Sequence, residues 1–208
     1  AALMGYSGFS AANYFQQPYN SDLDFGTGDF AYMGWVVWPG SVAVCLFHRG
    51  PTVNSDETIA WIAASGAVNF RVKTNAIITE SAIAVPANVP TLVAITRTSG
   101  VVTVYINTIV GVSVANTQSA TQVSYPLTLG KWVTNPVSYG QSMVLWRVSA
   151  TAPSAEQIKH IYETERPIFE VNAQCCLAGS SNAVTALAYD DETDLLHVGT
   201  SYGRSAFK

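Results

Sequence analysis

Leu92-Val93-Ala94-Ile95-Thr96-Arg97, then Thr98-Ser99-Gly100, then Val101-Val102-Thr103-Val104-Tyr105-Ile106-Asn107 reads as two β-strands joined by a tight turn. Apolar and β-branched residues dominate both runs, and such side chains suit a pleated, half-buried surface. Gly100 supplies the positive φ that a three-residue hairpin turn requires. In the second run Val102, Val104 and Ile106 share one face and Thr103, Tyr105 and Asn107 the other, so the first face is assigned to the core.

Outward from this hairpin the same signal repeats, with short apolar runs broken by Gly, Pro, Asn and Ser roughly every ten residues. Strands are expected over Asn13 to Gln16, Phe30 to Trp38, Val42 to His48, Thr58 to Ala63, Ala67 to Lys73, Ala76 to Thr79, Gly111 to Ala115, Leu127 to Gly130 and Met143 to Val148. Such spacing means a sandwich or barrel. Trp35 and Trp38 fall on opposite faces of one strand, so only one belongs to a single packed face. The pattern then changes. Pro153 to Glu165 reads as a helix, with Ser154 and Gln157 as a capping box and Ile158, Ile161 and Tyr162 as the stripe that docks it on the sandwich. Pro167 ends or kinks that helix. A last hairpin joins Ala183 to Tyr189 with Leu195 to Ser201 across the acidic turn Asp190 to Asp194. Two strands alone are marginal in water, so it must pack on its own sandwich or on a neighbouring subunit. The expected domains are a sandwich with its closing helix over residues 1–170 and an extension over residues 171–208.

Composition agrees with this reading and removes other classes. Of the 208 residues 49% are apolar and 12% charged, so a disordered chain is excluded. A net charge of -4 offers no basic footprint, and nucleic acid is set aside as a partner. No run is long and apolar enough for a membrane helix, and no insertion into a membrane is expected. Cys45, Cys175 and Cys176 are too few for a disulfide framework or a four-ligand zinc site and are read as buried thiols. Beginning on Ala1, the chain reads as an excised or processed piece of a longer one.

Three stretches carry a family resemblance. They are Asn13-Tyr14-Phe15 followed by Asp22-Leu23-Asp24-Phe25-Gly26-Thr27-Gly28-Asp29-Phe30 and Trp35; the hairpin quoted above; and Met143-Val144-Leu145-Trp146-Arg147-Val148 with its helix. In this order they resemble the laminin-G-like branch of the concanavalin A-like lectin/glucanase superfamily. That likeness implies an all-β, antiparallel two-sheet jelly-roll sandwich with one C-terminal helix and a terminal hairpin. The chain departs from the family pattern where Thr108 follows Asn107 in place of Gly and where Pro90-Thr91 replaces Trp-His. Residues 183 to 203 are similar to a segment that follows such sandwiches in tail-fibre proteins of tailed bacteriophages. The resemblance implies a virion appendage, assembled in the host cytoplasm, usually trimeric, that binds other tail proteins and presents the sandwich to a host-surface glycan or receptor.

The chemistry-bearing residues point away from catalysis. A glycosidase needs two carboxyl groups about 5 to 9 Å apart. No Glu-x-Asp-x-x-Glu strand is present, and Glu80 is the only carboxylate from Ile59 to Ala155. There is no Gly-x-Ser-x-Gly elbow, and His48, His160 and His197 have no partner at a family spacing. No enzyme activity and no cofactor are expected. Asp22, Asp24 and Asp29 are the candidates for a calcium site; the preferred reading is that Asp24 and Asp29 bond backbone amides around Gly26 and Gly28. Trp38, Trp132 and Tyr139 are the candidates for stacking on a sugar, against packing or a subunit contact. Three functions follow: glycan or receptor recognition on a tail fibre, a purely structural spacer or decoration domain, and a polysaccharide depolymerase.

Overall fold

The structure, a computed structural model, describes residues 5–51, 56–72, 78–133, 139–169, 184–193, 195–200 and 203–207. The chain divides into two compact units, Met4–Ser154 and a second formed by Ala155–Lys208 with Ala1–Leu3. The boundary thus precedes the helix, where the sequence placed it near residue 170.

In the first unit the strands are β1 (Phe15–Gln17), β2 (Phe30–Val37), β3 (Val44–Arg49), β4 (Thr58–Ile62), β5 (Ala67–Val72), β6 (Ile78–Ala84), β7 (Thr91–Thr98), β8 (Val101–Ile106), β9 (Ile109–Ala115), β10 (Leu127–Leu129) and β11 (Ser142–Ser149). They form a six-stranded sheet, β1-β10-β3-β4-β5-β6, and a five-stranded sheet, β11-β2-β7-β8-β9. Every pairing between these strands is antiparallel. This is the lectin-like two-sheet sandwich that the strand pattern and the family likeness imply.

The hairpin from Leu92 to Asn107 forms as β7 and β8, and Val102, Val104 and Ile106 all enter the core. Its turn is tighter than expected. Thr98 pairs with Val101, leaving Ser99 (φ 49°) and Gly100 (φ 78°) as a two-residue turn, the arrangement whose twist matches that of the strands. At the next turn Asn107 takes φ 56°, just before Thr108, the position where the family pattern has glycine. Asn107 is held there by its N–H donating to Leu92 O at 2.7 Å and its Oδ1 accepting from Leu92 N–H at 3.0 Å.

Between the sheets lie Phe30, Tyr32 and Val36 from one side and Leu46, Phe47 and Phe70 from the other. Tyr32 stacks on Phe47 with centroids 4.0 Å apart. Each such side chain contributes about 1.5 to 3 kcal/mol by leaving water. β11 carries a bulge between Val144 and Arg147, with Leu145 at φ 54°, and Trp146 packs against the core over Gly34. The Trp146 indole N–H donates to Trp35 O at 3.1 Å. As the alternation requires, only one of Trp35 and Trp38 belongs to the packed face between the sheets, and the other is buried on the far side. Trp38 joins the core at 5% exposure, and Trp35, on the opposite face, is 1% exposed.

The second unit contains α1 (Ala155–Glu165), which tightens into a 3₁₀ turn over Arg166–Phe169, where Pro167 denies the helix a donor. Of its stripe, Ile158 is buried while Ile161 and Tyr162 are half-buried. The tail hairpin is β12 (Val184–Asp190) and β13 (Leu195–Thr200), and a third strand, β14 (Gly203–Phe207), adds to β13. The short run Arg204-Ser205-Ala206-Phe207 is too polar to announce itself as a strand. Cys175, Cys176 and the Gly179–Asn182 loop lie outside the described residues.

Candidate functional site

Two buried arginines build one end of the sandwich. Arg97, at the end of β7, donates to Gly26 O (2.6 Å), Gly28 O (2.8 Å) and Gln118 O (2.6 Å) and lies over the Phe30 ring. Arg49, at the end of β3, donates to Leu23 O (2.7 Å), Tyr125 O (3.3 Å) and Asn20 O (3.5 Å) and pairs with Asp24 at 2.8 Å. The segments 18–29 and 116–126 are thereby tied to the ends of two core strands. A guanidinium serves well here because its planar fork reaches several carbonyls at once.

The three aspartates of the calcium reading separate in this framework. Asp24 accepts from the Gln122 N–H (2.9 Å) and the Tyr19 OH (2.9 Å) besides Arg49. Partial burial acts to raise its pKa, but those hydrogen bonds and the Arg49 charge outweigh it and hold the carboxyl below the ordinary aspartate value. Asp29 accepts from the Ser99 N–H at 2.8 Å, across the sandwich end from its own strand. Asp22 is exposed, in a short turn capped by Asn20. Among the described residues no three His, Cys, Asp or Glu side chains stand together as a metal centre would need. Asp24 and Asp29 do bond backbone amides, but those of Gln122 and Ser99 rather than the amides around Gly26 and Gly28 that the sequence reading named.

The sugar-stacking candidates are placed unevenly. Trp38 is a core residue whose indole N–H donates to Val42 O at 2.8 Å, so it offers no face to a ligand. Trp132 is buried on the outer face of the six-stranded sheet against Cys45, Ile59 and Trp61, its centroid 5.4 Å from that of Trp61. Tyr139 is half-buried, and burial raises its phenol pKa. The aromatics that stand exposed in the first unit are instead Tyr6, Phe15, Tyr19 and Tyr125. Tyr6 and Phe15 are partly spent, with Phe9, on an aromatic trio of rings 4.4 to 6.0 Å apart. Tyr19 and Tyr125 flank Arg49: the Tyr19 ring centroid is 5.7 Å from its guanidinium carbon, and Tyr125 accepts from its Nε–H through the backbone.

On the outer sheet face His48 and Glu57 meet at 2.9 Å, and Arg71 bonds the other Glu57 oxygen. All three side chains are buried, and Arg71 lies under the Trp61 and Trp132 rings. Burial, then the Arg71 charge, lowers the His48 pKa to about 4. A neutral imidazole that donates from Nε2 to Glu57 leaves Nδ1 as an acceptor, and Nδ1 is buried without a hydrogen-bond partner. Glu57 is thus a carboxylate clamped by two partners. Sequence reading assigned no role to Arg49 and Arg97, because a strand-end charge looks solvated until its neighbours are known.

No protein-family model matches the chain, and no curated protein matches it. Solved structures share the fold. A sialidase CBM40 of Ruminococcus gnavus, bound to α2,3-sialyllactose, superimposes with a TM-score of 0.56 at 12% identity over 66% of this chain and 84% of its own. The receptor-binding domain of botulinum neurotoxin C/D mosaic serotype does so at 0.57 and 14% identity over 76% of this chain. The binding domain of botulinum neurotoxin DC, in complex with rat synaptotagmin II, gives 0.52 at 13% identity over 66% of this chain. The chain spans only 41% and 36% of the length of those two toxin domains.

Proposed function

We propose that this protein is a non-enzymatic recognition module that binds a host-surface glycan or receptor, carried on the tail fibre or another appendage of a tailed-phage virion. The observation that carries the reading is the pair of exposed tyrosines held on a rigid loop end by buried arginines. Aromatic faces stack on the C–H faces of sugars, and polar groups beside them select hydroxyls. The glycan-bound and receptor-bound proteins of the same fold support it. Asp24 supports the absence of catalysis, because Arg49 and its hydrogen bonds favour the carboxylate and leave it poorly poised to exchange a proton. The virion setting rests on the likeness of residues 183 to 203 to tail-fibre segments.

Binding of the labelled full chain to immobilised glycans and to intact bacterial cells tests this proposal. Saturable binding to either is the expected result. Absence of binding to both across a broad panel, with the chain folded, overturns it. A second reading, a structural role in assembly, is favoured by one observation in the tail. Leu187 and Tyr189 of β12 and Leu196 of β13 share a face of their sheet, and all are exposed, at 66%, 62% and 39%. An apolar sheet face of this kind is a subunit surface, and a homotrimer is the proposed assembly.

A further inference from the structure

Tyr19 is 41% and Tyr125 37% exposed, on two segments joined here by Arg49 and Asp24 and further along by Arg97 and the Ala120 N–H that donates to Gly26 O. The Tyr19 hydroxyl spends its proton on Asp24, so toward a ligand it is left as an acceptor. Beside it Gln122, 3% exposed, gives its backbone N–H to Asp24 while its side-chain Nε2 has no hydrogen-bond partner. An amide donor shielded from water and unpaired carries a desolvation cost that an incoming hydroxyl would offset. Two stacking rings, an acceptor and an unspent amide are the parts of a sugar subsite.

The charges there choose the sugar. Arg49 gives its donors to Asp24 and to the carbonyls of Leu23, Tyr125 and Asn20, and so has no fork to offer a ligand carboxylate. Asp24 is ionised and Asp22 stands exposed two residues away. Arg49 offsets the Asp24 charge, so Asp22 leaves this rim net negative, and a sialic acid would bring a second uncompensated negative charge against it. We infer that the Tyr19, Tyr125 and Gln122 surface is the ligand site and that it takes uncharged hexose units rather than sialylated or other anionic glycans. This rests on the recognition reading above and narrows it.

The test uses the full chain on an array of paired oligosaccharides, each printed with and without terminal sialic acid, lactose and α2,3-sialyllactose among them. Binding to neutral members, at least tenfold stronger than to their sialylated partners, is expected. Tyr125→Ala keeps the backbone carbonyl that Arg49 uses, so it should lower neutral-glycan affinity tenfold or more with an unchanged melting temperature. Gln122→Leu should do likewise, and Tyr189→Ala, in the tail, should leave affinity unchanged. Neutral binding that survives both Tyr125→Ala and Gln122→Leu overturns this site while recognition stands. Preference for the sialylated partners overturns the charge argument. No binding to any glycan, with cell binding retained, removes the sugar subsite and leaves a protein receptor as the target.

Discussion

Arg97 shows how much one side chain organises. Burial acts to lower its pKa, yet three carbonyls 2.6 to 2.8 Å away hold the cation, which in turn holds the turn at Gly26 and Gly28 against the segment at Gln118. Arg97→Met keeps the volume and removes the donors, so those carbonyls must find water. A loss of about 3 kcal/mol or more is expected in urea denaturation. Arg97→Lys should recover less than half of it, since one ammonium cannot reach three separated carbonyls. His48 makes a prediction about pH. Its folded pKa of about 4 lies below the ordinary histidine value of 6.5, so the unfolded chain takes up a proton first as pH falls. Its contribution is whole above pH 6.5 and is lost progressively down to about pH 4, by at most about 3 kcal/mol. Denaturation midpoints at pH 7 and pH 4.5 should differ less in His48→Gln than in the parent; an unchanged difference would mean that other groups carry the acid sensitivity.

At the scale of elements, most strands were legible in the sequence because each keeps its period against a core. From β2 to β11 every strand but β6 falls within a few residues of its expected place; β6, expected to end at Thr79, runs on to Ala84. The deviations sit where packing sets the geometry. The bulge in β11 is one: nothing in Met143-Val144-Leu145-Trp146 says that Leu145 turns to φ 54° and that Trp146 then packs on the core. Gly34 is its counterpart, since a Cβ there would lie 2.5 Å from Trp146 Cγ. Gly34→Ala should cost about 1 to 3 kcal/mol, as overpacking does, and the double variant with Trp146→Ala should cost less than the two changes summed. Thermal melts of the three variants would decide it. Additivity within error would show that the contact is not the reason for the glycine.

For the whole molecule the question is which surfaces remain uncovered. The tail sheet presents Leu187, Tyr189 and Leu196 on one face, and the small and polar Ala186, Ala188, His197, Arg204 and Ala206 lie on the other. Changing Leu187 and Leu196 to Ser in the full chain should shift a trimer toward monomer in light scattering at micromolar concentration. A monomeric parent, or a variant that stays trimeric, removes the tail as the assembly element.

Period, turn residues and capping are local properties, and for that reason the class of fold, the core face of the central hairpin and the helix after Pro153 could be read from the chain alone. It also carried the lack of a Glu-x-Asp-x-x-Glu strand, since that is a matter of inventory. Which aromatics face solvent depends on the folded packing: Trp38 and Trp132 went inside, while Tyr19 and Tyr125 stayed out. The same holds for Asp24 and Glu57, whose arginine partners come from other strands. Exposure and charge pairing depend on residues distant in sequence, and a period of two names a face without saying what will cover it.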